Sequence, residues 1–173
     1  MKRTFLLCAL GLCLSGCPSQ SGSPPATSTS PTSPPSGESA ADGRGRALYG
    51  QHCAVCHQAD GRGVMGAYPP LDGSEWLADS SQASIAIVLK GVEGPLTVKG
   101  ETFQGQMPPL GETLKDEEIA EILTYVRSSW SNSAPAVEVT TVSQLRQTLT
   151  KQVGPWNGEE ELLDYLGDQA PER

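Results

Sequence analysis

The chain has 173 residues and a formal net charge of -8, from 12 basic and 20 acidic residues. That length holds one ordinary domain with appendages and excludes two of full size. The acidic balance excludes nucleic acid and an anionic membrane surface as electrostatic partners, and suits a partner with a basic docking patch.

Met1-Lys2-Arg3 is a short positive start, followed by an apolar run from Thr4 to Leu14 that is too short to cross a bilayer comfortably. The run ends in Leu14-Ser15-Gly16-Cys17, which resembles the lipobox of bacterial lipoproteins. Such chains are cut before the cysteine, and its sulfur receives a diacylglyceryl group. Residues 1–16 are therefore expected to be a signal peptide and Cys17 a lipidation site. An ordinary signal peptide with an incidental cysteine is the alternative. Residues 17–41 are almost all Ser, Pro, Thr, Gly and Ala beyond Cys17, a composition that buries no core and reads as a disordered tether. As extended polyproline II at about 3.1 Å per residue, the tether reaches on the order of 75 Å.

The compact region is expected over 42–133, with a C-terminal extension over 134–173. Arg44 to Cys53 reads as a first helix with Ala47, Leu48 and Tyr49 as its apolar content. Gly61 to Gly73 is a Gly/Pro-rich loop. Ser81 is an expected N-cap for a helix carrying Ala83, Ile85, Ala86, Val88 and Leu89, stopped at Gly91. Leu96-Thr97-Val98 and Glu101-Thr102-Phe103 flank Lys99-Gly100 as a small hairpin. Thr113 and Asp116 suggest a capping box. Ile119, Ile122, Leu123, Val126 and Trp130 then form the strongest helical stripe in the chain. In the extension, Val142, Leu145, Leu149 and Val153 keep helical spacing for one short helix.

Of five cysteines, Cys8, Cys13 and Cys17 belong to the leading run, which leaves Cys53 and Cys56 in the compact region and no pair for a long-range bridge. They form Cys53-Ala54-Val55-Cys56-His57, the pattern of covalent haem c attachment. Two thiols three positions apart reach the two vinyl groups of one haem, and the adjacent histidine falls under the iron. A zinc site would need further Cys or His ligands, and the only other histidine is His52. A thioredoxin-like dithiol would need a βαβ context that the sequence does not show. Export agrees with haem, because haem c is attached on the far side of the cytoplasmic membrane.

Gly45 and Tyr49 precede Cys53 by eight and four residues, while Ile122 and Tyr125 lie on the last strong helix. The set resembles class I cytochrome c, an all-α fold around one haem in which a glycine and an aromatic let the terminal helices cross closely. The resemblance implies that the carbonyl of Pro69, twelve residues after His57, accepts from the second ring nitrogen of that ligand. The alternative is that Pro69 merely shapes its loop. It also implies Met107, in Gly105-Gln106-Met107-Pro108-Pro109-Leu110, as the sixth iron ligand, a soft thioether that raises the potential relative to bis-His. Apolar filler is the bland alternative for Met107, and Met65 lies on the wrong loop to compete. Trp76 is expected either near a haem propionate or in ordinary core packing.

Finer likeness in Gly94-Pro95-Leu96-Thr97-Val98-Lys99-Gly100, Met107-Pro108-Pro109, Leu123 to Trp130 and the Pro155-Trp156 tail is to bacterial cytochromes that serve quinoprotein dehydrogenases or copper nitrite reductases. What this implies is a lipid-anchored electron carrier at the periplasmic face of a bacterial membrane, or at the outer face of the cell membrane. It would exchange electrons with periplasmic or membrane redox proteins and turn over no small-molecule substrate. The alternatives are a haem-bearing subunit of a larger dehydrogenase or nitrite reductase complex, and a haem enzyme with a labile sixth ligand.

Overall fold

The computed structural model of the chain describes residues 40–78 and 80–171. The expected signal peptide, Cys17 and the tether up to residue 39 lie outside the described residues. Among the described residues six α-helices follow in order: α1 (Ala40–His52), α2 (Ala54–His57), α3 (Ser81–Lys90), α4 (Asp116–Ser128), α5 (Val139–Thr148) and α6 (Gly158–Leu166). Strands β1 (Val92–Val98), β2 (Glu101–Met107) and β3 (Trp156–Asn157) form one sheet in the order β2-β1-β3. The frame is helical, as expected, with a small hairpin insert joined by a third short strand.

Helix α1 contains Gly43, Gly45 and Gly50, so it forms through packing rather than propensity. Its partner is α4, and the crossing is close. A Cβ on Gly45 would overlap the Glu121 carbonyl oxygen and lie 2.9 Å from Tyr125 Cβ. Arg44 Nε pairs with Glu121 Oε2 at 3.0 Å beside this contact. Helix α4 has Asp116, Glu117 and Glu118 in its first turn, where acids complement the helix dipole. It buries Ile119, Ile122, Leu123 and Val126. The cap is not the expected Thr113–Asp116 pair. Lys115 sits at the N-cap and its backbone N–H donates to Glu118 Oε2 at 3.0 Å. Trp130 also departs from expectation. The helix stops at Ser128, and Trp130 takes φ +56°, which folds its ring onto Tyr49 and Tyr125 at 5.5 and 6.0 Å.

Ser80, one residue earlier than expected, caps α3 by accepting from Gln82 N at 3.1 Å. The hairpin is longer than its sequence signal. Lys99 and Gly100 turn with positive φ at both positions, as a two-residue hairpin loop requires. Pairing runs from Val98↔Glu101 back to Val92↔Met107, so Met107 ends a strand rather than standing in a loop.

The extension carries two helices where one was expected, and it is part of the core. Val142, Leu149, Trp156 and Leu162 are each at most 2% exposed. It leaves α4 through Ala134 N to Arg127 O and Val137 N to Thr124 Oγ1, both 2.9 Å. Trp156 and Asn157 then pair in parallel with Val92 and Glu93. Pro95 lacks an N–H, and β3 ends before reaching it. Farther along this edge, Thr97 N and Oγ1 donate to the Glu159 carboxylate at 2.7 and 3.1 Å. Val153, expected on the helical stripe, is 92% exposed and outside any helix.

Candidate haem centre

Cys53 joins two helices. Its N–H donates to Tyr49 O at 2.9 Å, closing α1, and its carbonyl accepts from Cys56 N at 3.1 Å and His57 N at 2.9 Å, opening α2. The motif is therefore one helical turn. Residues i, i+3 and i+4 of a helix share a face, so Cys53, Cys56 and His57 project together.

His57 is buried, and its Nδ1 lies 3.0 Å from Pro69 O. A carbonyl only accepts, so Nδ1 carries the proton and Nε2 keeps its lone pair for a metal. Burial holds His57 below the usual histidine range, with the Pro69 bond pulling the other way. The ring is thus neutral and ready to coordinate at neutral pH. Cys53 behaves unlike a redox dithiol. Burial first, then the neighbouring Cys56, pushes its thiol up to about 11, whereas a reactive Cys-x-x-Cys needs a lowered value. Among the described residues, no cluster of three or more His, Cys, Asp or Glu is arranged to hold a bare metal ion.

A cleft of two adjoining, mainly apolar chambers opens beside the motif. Cys53, His57, Pro69, Ile87, Leu96 and Met107 wall both chambers. The outer chamber adds Val55, Cys56 and Phe103, and the inner one adds Trp76, Ile122 and Val126. A flat apolar group with two attachment points at the lip fits this cleft. Met107 faces the space that His57 faces, while Met65 lines neither chamber and is 88% exposed. Trp76 is 4% exposed and donates Nε1 to Thr97 O at 2.8 Å, tying the inner wall to the hairpin.

Several members of the site were not singled out by sequence. Ile87, Val92, Leu96 and Phe103 wall the cleft from α3 and the hairpin, and their apolar character was the only signal that could have marked them. Tyr49 Oη donates to Gln58 O at 2.5 Å, which steadies the residue directly after His57. No spacing rule announces that bond.

The fold and this cleft define a class I c-type cytochrome. The chain belongs to the cytochrome c family, whose model matches residues 43–130. It is 40% identical over 93 residues to cytochrome c-552 of Thermus thermophilus, covering 51% of this chain and 70% of that one. The cytochrome c subunit of a quinone-dependent alcohol dehydrogenase from Gluconacetobacter polyoxogenes is 33% identical over 107 residues, covering 60% of this chain and 22% of the relative. The cbb3-type cytochrome c oxidase subunit FixP of Bradyrhizobium diazoefficiens is 32% identical over 87 residues, covering 49% and 29%. The chain thus spans less than a third of these dehydrogenase and oxidase subunits. It is a haem c-binding electron-transfer cytochrome, and membership of this family makes it extracytoplasmic. When bound, haem c supplies a one-electron Fe(III)/Fe(II) couple.

Proposed function

We propose that the chain is the haem-bearing electron-transfer subunit of a larger dehydrogenase or oxidase assembly, held by lipid on Cys17 at the periplasmic face of a bacterial membrane or at the outer face of the cell membrane. Cys53 and Cys56 would form the thioethers to haem, His57 and Met107 would hold its iron, and Pro69 orients His57. The observation that carries the axial pair is that His57 and Met107 wall the same two chambers, with His57 Nδ1 already engaged by Pro69. Subunit status is supported by relatives named as cytochrome subunits of quinone-dependent alcohol dehydrogenase and cbb3-type oxidase. The chain's own residues bind, orient and exclude water. His57 presents Nε2 in a fixed tautomer, the apolar walls favour the less charged ferrous state, and no side chain is asked to make or break a substrate bond.

A second reading, a free carrier, draws on cytochrome c-552, of which the matched part makes up 70%. Purification of the tagged full-length chain from native membranes separates the two. The expected result is co-elution with dehydrogenase or oxidase polypeptides, reduction or oxidation of the haem by that assembly, and a lipid mass on the peptide starting at Cys17. A chain that elutes alone, without redox exchange in the membrane fraction, overturns the subunit reading.

A further inference from the structure

Met107 is the last residue of β2, at the end of the hairpin farthest from its Lys99-Gly100 turn. At about 3.3 Å per residue that end lies some 20 Å from the turn. A two-stranded hairpin is marginal alone and frays first at such an end. Residues 108–115, which follow, contain neither helix nor strand. A thioether is a neutral ligand, so its hold on iron depends on where this loop keeps the sulfur.

Residues 134–171 lie beyond the part matched by the cytochrome c family, yet they grip the loop on both sides. On one side Val92, the pairing partner of Met107, is also the partner of Trp156. Trp156 N donates to Gly91 O at 3.0 Å, and its buried indole Nε1 donates to Ala86 O at 3.1 Å. Gly91, at φ +74°, is pressed so closely on the ligand that a Cβ there would overlap the Met107 carbonyl oxygen. The path from Trp156 to Met107 thus crosses one residue. On the other side, the Arg146 guanidinium makes three bonds to the stretch after Met107. Nε meets Asp116 Oδ1 at 2.6 Å, Nη2 meets Leu114 O at 3.0 Å, and Nη1 meets Gly111 O. A planar fork with fixed donors suits such a clamp, and lysine cannot reproduce it.

We propose that Arg146 and Trp156 are positioning residues for the sixth iron ligand, and that the extension holds the Met107 loop against ligand exchange. This rests on Met107 being that ligand. The test uses the full-length holoprotein and imidazole, which competes for the sixth position of ferric haem. Arg146→Gln should bind imidazole about tenfold more tightly, equivalent to about 1.4 kcal/mol, and should weaken the methionine-to-iron charge-transfer band. Arg146→Lys should not restore the wild-type affinity. Gly45→Ala, which destabilises the distant α1–α4 crossing, is the control. An equal rise in both variants, or none in Arg146→Gln, overturns the proposal. Should Arg146→Gln fail to accumulate with haem, Trp156→Phe, which loses the indole bond together with part of the buried ring but keeps the backbone pairing of β3, is expected to raise the affinity about threefold. No rise there overturns the proposal equally. Met107→Ala separates the layers. An unchanged ferric spectrum removes Met107 as ligand, whereas loss of the band with wild-type behaviour in Arg146→Gln leaves the ligand standing and removes the brace.

Discussion

Tyr49 is 2% exposed and spends its hydroxyl on the backbone of Gln58 at 2.5 Å. Burial, with smaller help from Cys53, Tyr125 and Asp60, raises the phenol above its ordinary range, so it remains a donor at any physiological pH. Gln58 needs the hold. At φ +61° and ψ 160° it occupies a region that only glycine enters freely, and it is the first residue after His57. Tyr49→Phe should therefore lower stability by about 1–2 kcal/mol, in the lower part of the range for an orphaned carbonyl because this one is only partly buried. Gln58→Gly in that background should return about 1 kcal/mol by relieving the backbone. Denaturant titration of the four-member cycle checks both values. If Tyr49→Phe is neutral, the hydroxyl does not secure the turn. At this scale the sequence was informative where chemistry is local. Cys53, Cys56 and His57 sit within one turn, and their spacing alone states their common face. The Tyr49 bond was illegible because it depends on the path of the chain after His57.

The α1–α4 crossing is the element on which the motif stands, since α1 ends at His52, immediately before Cys53. Its closeness depends on Gly45, whose missing side chain admits the Glu121 carbonyl. Gly45→Ala should push the helices apart and cost about 1–3 kcal/mol, the usual penalty of overpacking. Gly43 and Gly50 have open space where a methyl group would stand, so alanine there should stabilise α1 by about 0.5–1 kcal/mol. Thermal unfolding of the three variants checks the opposite signs; a destabilised Gly50→Ala or a neutral Gly45→Ala contradicts the packing account. The elements most visible in sequence were those with long apolar periodicity, α4 above all. Trp130 and Val153 kept that period and still fell outside helices. For Trp130 the ring contacts with Tyr49 and Tyr125 outweigh one more helical residue. For Val153 the following Gly154-Pro155 disfavours helix, and a 3-10 turn at Leu149–Lys151 has already ended it. Strand β3 is two residues long, too short for any period to show.

At the scale of the molecule, the question is whether residues 134–171 are an appendage or part of one cooperative unit. Their composition suggests an appendage, being acidic and sparse in aromatics beyond Trp156 and Tyr165. Their burial says otherwise. Leu162 on α6 is fully buried, and α6 packs chiefly on β1, the central strand of the sheet that ends in Met107. Trp156 and Tyr165 lie 4.9 Å apart between ring centres, closing the same layer. Leu162→Ala should cost about 2–5 kcal/mol, the transfer and cavity loss of a buried leucine. Val153→Ala, at a position 92% exposed, should change stability by less than about 0.5 kcal/mol. The decisive feature is how Leu162→Ala melts. In one cooperative unit, helix loss followed by far-ultraviolet circular dichroism and loss of the native haem environment followed by Soret absorbance must share a single lowered midpoint. A separable appendage would lose part of its helix signal first, with the Soret band holding at the wild-type midpoint. The sheet argues for the shared midpoint, because Val92 pairs with Trp156 on one edge and with Met107 on the other, so the extension cannot leave without exposing β1, the strand on which Met107 is paired.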